Sequence, residues 1–247
     1  MNDPVVVLGA TSAIGQAFAR AVAARGKDVV LCARDEEEAD RSARDLRVRY
    51  GVDAVALGFE ATKDAAAPLW PERLRARCGG SFEGVFLAYG VMCEEADARA
   101  DAGLSASMIA TNFTSAAQVL ERVATSLEGA GRGWICAVSS VAGDRGRPSN
   151  YLYGASKAGL QALLSGLRAR LARSGVRVID VRPGFVDTQL TWGRPGIFLA
   201  ARPQRVARDA LRAIDRDRAV VYTPFFWRAI MTVIRWLPDP VFKRLSL

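Results

Sequence analysis

The first informative stretch is Val5-Val6-Val7-Leu8-Gly9-Ala10-Thr11-Ser12-Ala13-Ile14-Gly15. It combines a short apolar strand, a turn with small residues and the start of a helix. Small residues let the backbone approach a pyrophosphate, and the helix N-terminus offers free N–H groups and the positive end of its dipole. Taken alone, this turn fits either a phosphate-binding turn or a plain tight connection between a strand and a helix.

The alternation of strand and helix continues along the whole chain. Helices predicted at residues 12–25, 36–50, 105–127 and 152–174 alternate with apolar strands, and several of them end at a glycine. The predicted strands are 5–8, 29–32, 52–57, 85–88, 134–139, 176–181 and 219–222. Continuous apolar strands separated by helices indicate an α/β fold with a doubly wound, Rossmann-like parallel sheet. We predict a single domain over residues 1–224, with residues 225–247 as its amphipathic C-terminal tail.

Composition limits the function classes. The 247 residues are half hydrophobic, enough for one sizeable core. Four cysteines show no metal-ligand spacing and no signal peptide is recognisable, which predicts a reduced, cytoplasmic protein without a metal. The net charge of +8 admits nucleic acid, an anionic membrane surface or a phosphorylated ligand. Because the arginines are scattered and lack interleaved aromatics, we expect no nucleic-acid binding.

The chain contains no histidine, so the commonest acid–base side chain at neutral pH is missing. Tyr153 and Lys157 offer a substitute, because residues i and i+4 lie on one face of a helix. A neighbouring ammonium group favours the phenolate and lowers a tyrosine pKa that starts near 10. An isolated Y-x-x-x-K pattern is common by chance, so its significance depends on the rest of the chain.

Further segments occur in the order that one enzyme family shows. Together they resemble the short-chain dehydrogenases/reductases, whose first turn reads T-G-x-x-x-G-x-G; here Leu8 replaces the threonine and Ala13 the middle glycine. The matching segments are Gly9 and Gly15, Ala88-Tyr89-Gly90 in place of N-A-G, Asn112, Ser139-Ser140, Tyr153 with Lys157, and Pro183-Gly184. The resemblance covers nearly the whole chain and implies a nicotinamide-dependent oxidoreductase.

The resemblance also assigns roles. Tyr153 is the proton donor, Lys157 lowers its pKa and binds the nicotinamide ribose, and Asn112 links Lys157 to solvent through water. Ser140 holds the substrate oxygen, because the family places its serine thirteen positions before the tyrosine; Ser139 would point the other way. The residues expected at the cofactor are Gly9, Thr11, Ser12, Ala13, Ile14, Gly15, Arg34, Glu60, Ala88, Tyr89, Gly90, Tyr153, Lys157, Pro183, Gly184, Val186 and Thr188.

The end of the second strand bears on which nicotinamide cofactor binds. An acidic residue there would bind the ribose 2′-hydroxyl of NAD and repel a 2′-phosphate. This chain has Ala33 followed by Arg34, whose guanidinium matches a phosphate in charge and shape. We therefore predict NADP(H) in preference to NAD(H). The alternative is a solvated loop arginine that Asp35 partly neutralises.

Two apolar segments follow Pro183-Gly184. Residues 187–200 carry Leu190, Trp192, Ile197 and Phe198 around Pro195, which suits a mobile substrate lid with an apolar inner face better than a plain surface loop. Residues 225–237 predict an apolar helix with a narrow polar stripe made by Arg228, Thr232 and Arg235, followed by a short helix from Asp239. The stripe suits a membrane interface, while a buried helix or a dimer interface is the competing interpretation.

Three segments resemble one branch of the family, the decaprenylphosphoryl-2-keto-ribose reductases: residues 87–91, residues 147–151 and the C-terminal tail. This resemblance implies NADPH-dependent reduction of a keto sugar on a polyprenyl phosphate, a partner flavoprotein oxidase and a homodimer or homotetramer. With the basic, apolar tail it suggests peripheral contact with the inner face of the plasma membrane through residues 225–247. The alternatives are a reductase of another lipophilic carbonyl, such as a 3-ketoacyl or polyketide-type substrate, and a non-catalytic nucleotide sensor or scaffold.

Overall fold

The computed structural model describes residues 1–193 and 199–244. Its centre is a seven-stranded sheet in the order β3-β2-β1-β4-β5-β6-β7, in which every neighbouring pair is parallel. The strands are β1 (Val5–Leu8), β2 (Val29–Ala33), β3 (Ala54–Gly58), β4 (Gly84–Leu87), β5 (Gly133–Val138), β6 (Val176–Pro183) and β7 (Val220–Thr223). The predicted Rossmann-like α/β fold is confirmed.

Helices cover both faces of this sheet. They are α1 (Ala13–Ala23), α2 (Glu36–Tyr50), α3 (Ala61–Asp64), α4 (Trp70–Arg77), α5 (Glu95–Ala100), α6 (Ala102–Ile109), α7 (Ser115–Ala130), α8 (Tyr151–Leu171), α9 (Pro203–Asp215), α10 (Trp227–Trp236) and α11 (Asp239–Phe242). One core packs α1, α2 and α9 against the sheet, and the other packs α4, α7 and α8. Strand residues alternate between the two cores, as the pleat requires.

One predicted helix is interrupted. The sequence predicts a single helix over residues 105–127, but a π-helical turn, Ala110–Thr114, separates α6 from α7. Apolar residues continue through this region, so the hydrophobic pattern gives no sign of the wider turn. The structure also contains four helices that the sequence analysis did not assign: α3, α4, α5 and α9.

The sheet order reverses between β1 and β4, and in such folds ligands bind beyond the carboxyl ends of the strands at this point. Gly9 lies there with φ of +83°, a conformation that favours glycine. A Cβ atom at this position would stand 2.6 Å from the backbone nitrogen of Tyr89. Glycine is therefore required for the close approach of the first turn to the segment after β4.

The C-terminal helices pack over the carboxyl end of β6. Trp227, Met231 and Ile234 bury one face of α10 against Val141. A Cβ atom on Gly184 would overlap the Trp227 ring, so the turn after β6 and this helix fit together only with glycine there. The opposite face stays in solvent, where Trp236 is 83% exposed. Within the described part of the chain, no helix is both long and apolar enough to span a membrane.

The sequence predicts a lid at residues 187–200 and a tail at residues 225–247, and the structure describes only part of each segment. Residues 188–192 form a turn in which Trp192 donates its backbone N–H to Thr188 O, and the Trp192 side chain is 85% exposed. Pro195, Ile197, Phe198 and Leu245 lie outside the described residues.

Candidate active site

Tyr153 and Lys157 lie in the first two turns of α8, with their side chains on one face. The Lys157 ammonium lies 5.8 Å from the centre of the Tyr153 ring. It donates a hydrogen bond to Val138 O (3.1 Å) at the end of β5, and only 4% of the residue is exposed. Helix α8 is thereby fixed to the carboxyl edge of the sheet by a buried charge.

Burial sets the acidity of this ammonium. It lowers the pKa of Lys157 from 10.5 to about 8, while the negative charge of Asp180 acts in the opposite direction. Asp180 is itself buried on β6, where Arg182 donates to its Oδ2 (2.7 Å). A lysine with a pKa near neutrality is suited to respond to the charge of a neighbouring phenol.

Ser139 and Ser140 follow β5 directly and have different surroundings. Ser140 Oγ accepts from the backbone N–H of Ala142 (3.1 Å), and Gln161 on α8 donates to Ser140 O (2.8 Å). The Ser139 hydroxyl instead donates to Asp180 Oδ1 (2.5 Å) and is fully enclosed. Ser140 is thus held by α8, whereas Ser139 belongs to a buried polar group beneath the site.

Asn112 lies within the π-helical turn and is buried. Its Oδ1 accepts from Val91 N (2.8 Å), and its Nδ2 donates to Val91 O (2.8 Å) and to Ser156 Oγ (3.2 Å). Ser156 Oγ in turn donates to Tyr153 O (2.7 Å). The asparagine therefore links the segment after β4 to the backbone of α8. Turns of this π type often occur at functional sites.

The first turn has the features of a phosphate cradle. Ser12 caps α1, since its Oγ accepts from Gly15 N (3.0 Å) and lies close to Gly9 O (2.7 Å). Thr11, Ala13 and Ile14 complete this turn at the helix N-terminus, where unpaired N–H groups favour an anion. With Gly9 holding the turn against the segment after β4, these residues fit the pyrophosphate of a nicotinamide cofactor.

The segment Ala88-Tyr89-Gly90 faces the cradle with its backbone. The Tyr89 side chain points away, into the core, where its hydroxyl lies 3.0 Å from Ser115 Oγ and burial raises its pKa. A Cβ atom on Gly90 would lie 3.4 Å from Lys157 Nζ. The structure therefore places this backbone between the first turn and Lys157.

Arg34 and Glu60 lie together at the ends of β2 and β3. Arg34 is 84% exposed, and its Nε is 3.9 Å from a Glu60 carboxylate oxygen, a weak surface pair. Asp35 does not face Arg34, because it caps α2 by accepting from Glu38 N (2.9 Å). The guanidinium is thus free to turn toward a ligand at the cradle.

The remaining predicted cofactor residues follow β6. Pro183 ends that strand, and Gly184 follows it beneath Trp227. Val186 is buried and forms an isolated parallel bridge with Ala201, and Thr188 lies in the turn after Val186. These residues share the carboxyl edge with α8.

Three supporting residues were missed by the sequence analysis. Ser156 and Gln161 connect α8 to the π turn and to β5, and Asp180 acts on the charge of Lys157. Two signals could have found them. Gln161 lies one turn after Lys157 on the same helix face, and Asp180 is a lone carboxylate within an apolar strand.

Comparison with known proteins identifies the family of this chain. Residues 3–195 match the short chain dehydrogenase family. The chain belongs to the short-chain dehydrogenase family. An uncharacterized oxidoreductase of Mycobacterium tuberculosis is 36% identical over 242 residues, which are 98% of this chain and 96% of that protein. Sulfoacetaldehyde reductase 2 of Chromohalobacter salexigens is 33% identical over 228 residues, 90% of this chain and 88% of the relative.

A solved structure shows the same fold over the whole length. A short-chain dehydrogenase from Sphingobium yanoikuyae in complex with NADPH has a TM-score of 0.81 and 28% identity, covering 99% of this chain and 96% of its own. The present chain, a member of the same family, is therefore an NAD(P)-dependent oxidoreductase, as predicted. Its assignment to the decaprenylphosphoryl-2-keto-ribose reductase branch stays a prediction.

Proposed function

We propose that this protein is an NADPH-dependent carbonyl reductase in which Tyr153 protonates the substrate oxygen. The observation that carries the proposal is the buried Lys157 ammonium on the same helix face as Tyr153, fixed to β5 by its bond to Val138 O. No histidine is present to do this work. A buried cation beside a phenol supplies the missing acid–base function.

The cofactor supplies the hydride, and the protein positions the carbonyl and delivers a proton. As negative charge grows on the carbonyl oxygen, Tyr153 donates its proton and the Lys157 charge stabilises the resulting phenolate. Ser140 donates a hydrogen bond to the same oxygen. Gln161 on α8 donates to Ser140 O and so holds this serine in place. Asn112 keeps the first turn of α8 in position through Ser156.

The preference for NADPH rests on Arg34, which is exposed beside the cradle and bound only weakly by Glu60. Arg34→Ala should weaken NADPH binding about 10- to 100-fold, because a charge-assisted contact is worth roughly 1.5–3 kcal/mol. NADH binding should change little. Dissociation constants from cofactor fluorescence measure both effects, with Arg41→Ala, which removes an exposed arginine of α2, as the charge control. Equal losses for both cofactors would show that Arg34 does not read the 2′-phosphate.

For the substrate we propose a keto sugar carried on a polyprenyl phosphate. The segments that resemble the decaprenylphosphoryl-2-keto-ribose reductases support this class, as do the basic net charge and the apolar outer face of α10. A flavoprotein oxidase would generate the keto sugar. Other candidates are a 3-ketoacyl or polyketide-type carbonyl, and a nucleotide sensor without catalysis.

Oxidation of NADPH measured with a panel of carbonyls tests the proposal. The panel should contain a lipid-phosphate keto sugar, a 3-ketoacyl thioester and sulfoacetaldehyde, the last because of the relative that bears this name. Turnover that Tyr153→Phe abolishes supports a reductase, and the ranking of kcat/KM assigns the substrate. NADPH binding without turnover of any carbonyl would favour the sensor.

We further propose that the outer face of α10 contacts the membrane surface in a homodimeric or homotetrameric protein. Phe225, Val233 and Trp236 are exposed there beside Arg228 and Arg235. The intact protein should sediment with anionic vesicles, and less so as salt rises, because the arginines act through screened charge. Val233→Asp/Trp236→Asp should abolish sedimentation. Failure of the intact protein to sediment at low salt would contradict this proposal, and a change of oligomer in the variant would make α10 a subunit interface.

A further inference from the structure

A cavity of about 500 Å³ opens beside residues 199–202, separate from the cofactor cradle. One wall is basic and consists of Arg202, Arg205 and Arg208 on the first turns of α9. The lining also contains the apolar side chains of Leu199 and Phe226. A cavity of this size can hold an anionic group together with several carbon atoms of an attached chain.

The charges on the basic wall are only partly neutralised. Arg205 Nε pairs with Asp209 Oδ2 (2.8 Å), and the same oxygen accepts from Thr223 Oγ1 (2.8 Å). Within residues 1–193 and 199–244, neither Arg202 nor Arg208 makes an ion pair, and no carboxylate lines the cavity. The cavity therefore presents excess positive charge, which a bound anion would balance.

The cavity is tied to the active-site edge by backbone hydrogen bonds. Ala201, which lines it, donates to Phe185 O (2.8 Å) and accepts from Asp187 N (2.9 Å). Phe185 is the residue after Pro183-Gly184, at the end of β6 where the predicted nicotinamide contacts lie. A ligand in this cavity would thus lie beside the turn after β6, at the same carboxyl edge of the sheet as Tyr153 and Lys157.

We infer that this cavity binds the tetrahedral oxyanion, a phosphate or sulfonate, of an amphiphilic carbonyl substrate. The arginines hold the oxyanion, and the Leu199 and Phe226 side chains receive the first carbons of the attached chain. This inference rests on the proposed reductase function and adds the part of the substrate that the catalytic residues do not contact. Guanidinium groups suit such oxyanions because their planar donors match two oxygens at once.

Binding of simple amphiphiles tests the inference without turnover. Calorimetric titrations use the full chain saturated with NADP⁺, which occupies the cofactor site, and the probes are decyl phosphate, decyl sulfonate, inorganic phosphate and decanol. Decyl phosphate should bind more tightly than either inorganic phosphate or decanol. Comparison with decyl sulfonate identifies the preferred oxyanion. Arg202→Gln/Arg208→Gln should weaken binding of the preferred probe about 10- to 100-fold.

The matched control is Arg216→Gln/Arg218→Gln, which removes the same charge from exposed positions at the far end of α9. It should leave binding of the decyl probes unchanged. Equal weakening by the two double variants, or decanol binding as tightly as decyl phosphate, would overturn the inference.

A kinetic measurement separates this inference from the proposed function. For carbonyls that the protein reduces, the cavity variant should raise the ratio of KM for an anionic substrate to KM for a neutral one about tenfold or more. An unchanged ratio in an active reductase contradicts the cavity alone. Probe binding at the cavity with no carbonyl reduced would contradict the proposed function alone.

Discussion

Helix α8, which carries Tyr153 and Lys157, and the C-terminal helix α10 both face the carboxyl edge of the sheet, but they are held there differently. Buried polar contacts fix α8: Lys157 binds the end of β5, Gln161 binds Ser140, and Ser156 binds Asn112. Helix α10 relies on one apolar face, Trp227, Met231 and Ile234, and its other face lies in solvent.

An arginine adds a polar link between the two regions, beside the packing of α10 against Val141. Arg145, in the loop between Ser140 and Tyr153, donates to Ile234 O (2.7 Å) and Leu237 O (2.6 Å) at the end of α10. Its guanidinium also stacks 3.8 Å from the centre of the Phe242 ring and pairs with Asp239. The comparison shows that the side chains proposed to react are fixed by directional polar contacts, whereas α10 is held mainly by apolar packing.

The largest effect is expected from Tyr153→Phe, which removes the hydroxyl proposed to protonate the substrate and retains the contacts of Lys157, Ser156 and Gln161. We expect kcat for carbonyl reduction to fall about 10²- to 10⁴-fold, because that is the usual contribution of a positioned proton donor. NADPH binding should persist, as shown by cofactor fluorescence. Near-normal kcat with a verified substrate would exclude Tyr153 as the donor.

The next effect is a pH dependence carried by Lys157. Its charge is lost as pH rises through the folded-state pKa of about 8. Because that charge stabilises the phenolate, kcat/KM for reduction should fall about tenfold per pH unit above that value. Steady-state rates at constant ionic strength measure this limb. A flat profile from about pH 7 to 10 would exclude this role for the lysine charge.

The free energy of unfolding should change with pH in the opposite direction from kcat/KM, rising where kcat/KM falls. Burial lowers the Lys157 pKa from 10.5 to about 8, so between these values the unfolded chain holds a proton that the folded chain lacks. The contribution of Lys157 to the free energy of unfolding therefore increases as pH rises through this interval. Urea titrations of the wild type and Lys157→Met should show a difference that shifts in favour of the wild type from pH 8 to 10.5. If the difference in free energy of unfolding between the two proteins stays constant over this range, the folded-state pKa of Lys157 is not near 8.

The smallest effect is expected from Arg145→Ala, which detaches α10 from the catalytic loop. Loss of two bonds to otherwise unpaired carbonyls and of the Phe242 contact should cost about 1–3 kcal/mol of stability. Hydrogen exchange should increase over residues 234–242 before it increases in α8. Arg228→Ala on the exposed face of α10 is the control, with an expected change within about 0.5 kcal/mol. Equal protection in Arg145→Ala and wild type would show that apolar packing alone holds α10.

Much of this architecture follows from the sequence because its signals are local. All seven strands were predicted within two residues of either end, since each is a short apolar run, and the i, i+4 spacing placed Tyr153 beside Lys157. The first turn and Ser140 lie at the carboxyl edge for the same reason: the strands before them are parallel.

The rest depends on contacts between distant parts of the chain. Arg145 was not recognised because its partners are backbone carbonyls about ninety residues away, which no side-chain pattern marks. Helix α10 is apolar on nearly every side, so the pattern left open which face is buried; Val141 and the turn after β6 determine it. Helix α9, whose arginines line the cavity, was not assigned at all.

The π-helical turn at Ala110–Thr114 has a consequence for how α6 and α7 share one path. A π turn adds one residue to a helix, and one residue corresponds to about 100° of rotation. The two helices are therefore out of phase: α7 can direct its buried side to the sheet while Asn112 reaches sideways toward Val91 and Ser156. Deleting one residue here would make the helix regular, and either the asparagine or the core face of α7 would then rotate away from its partners.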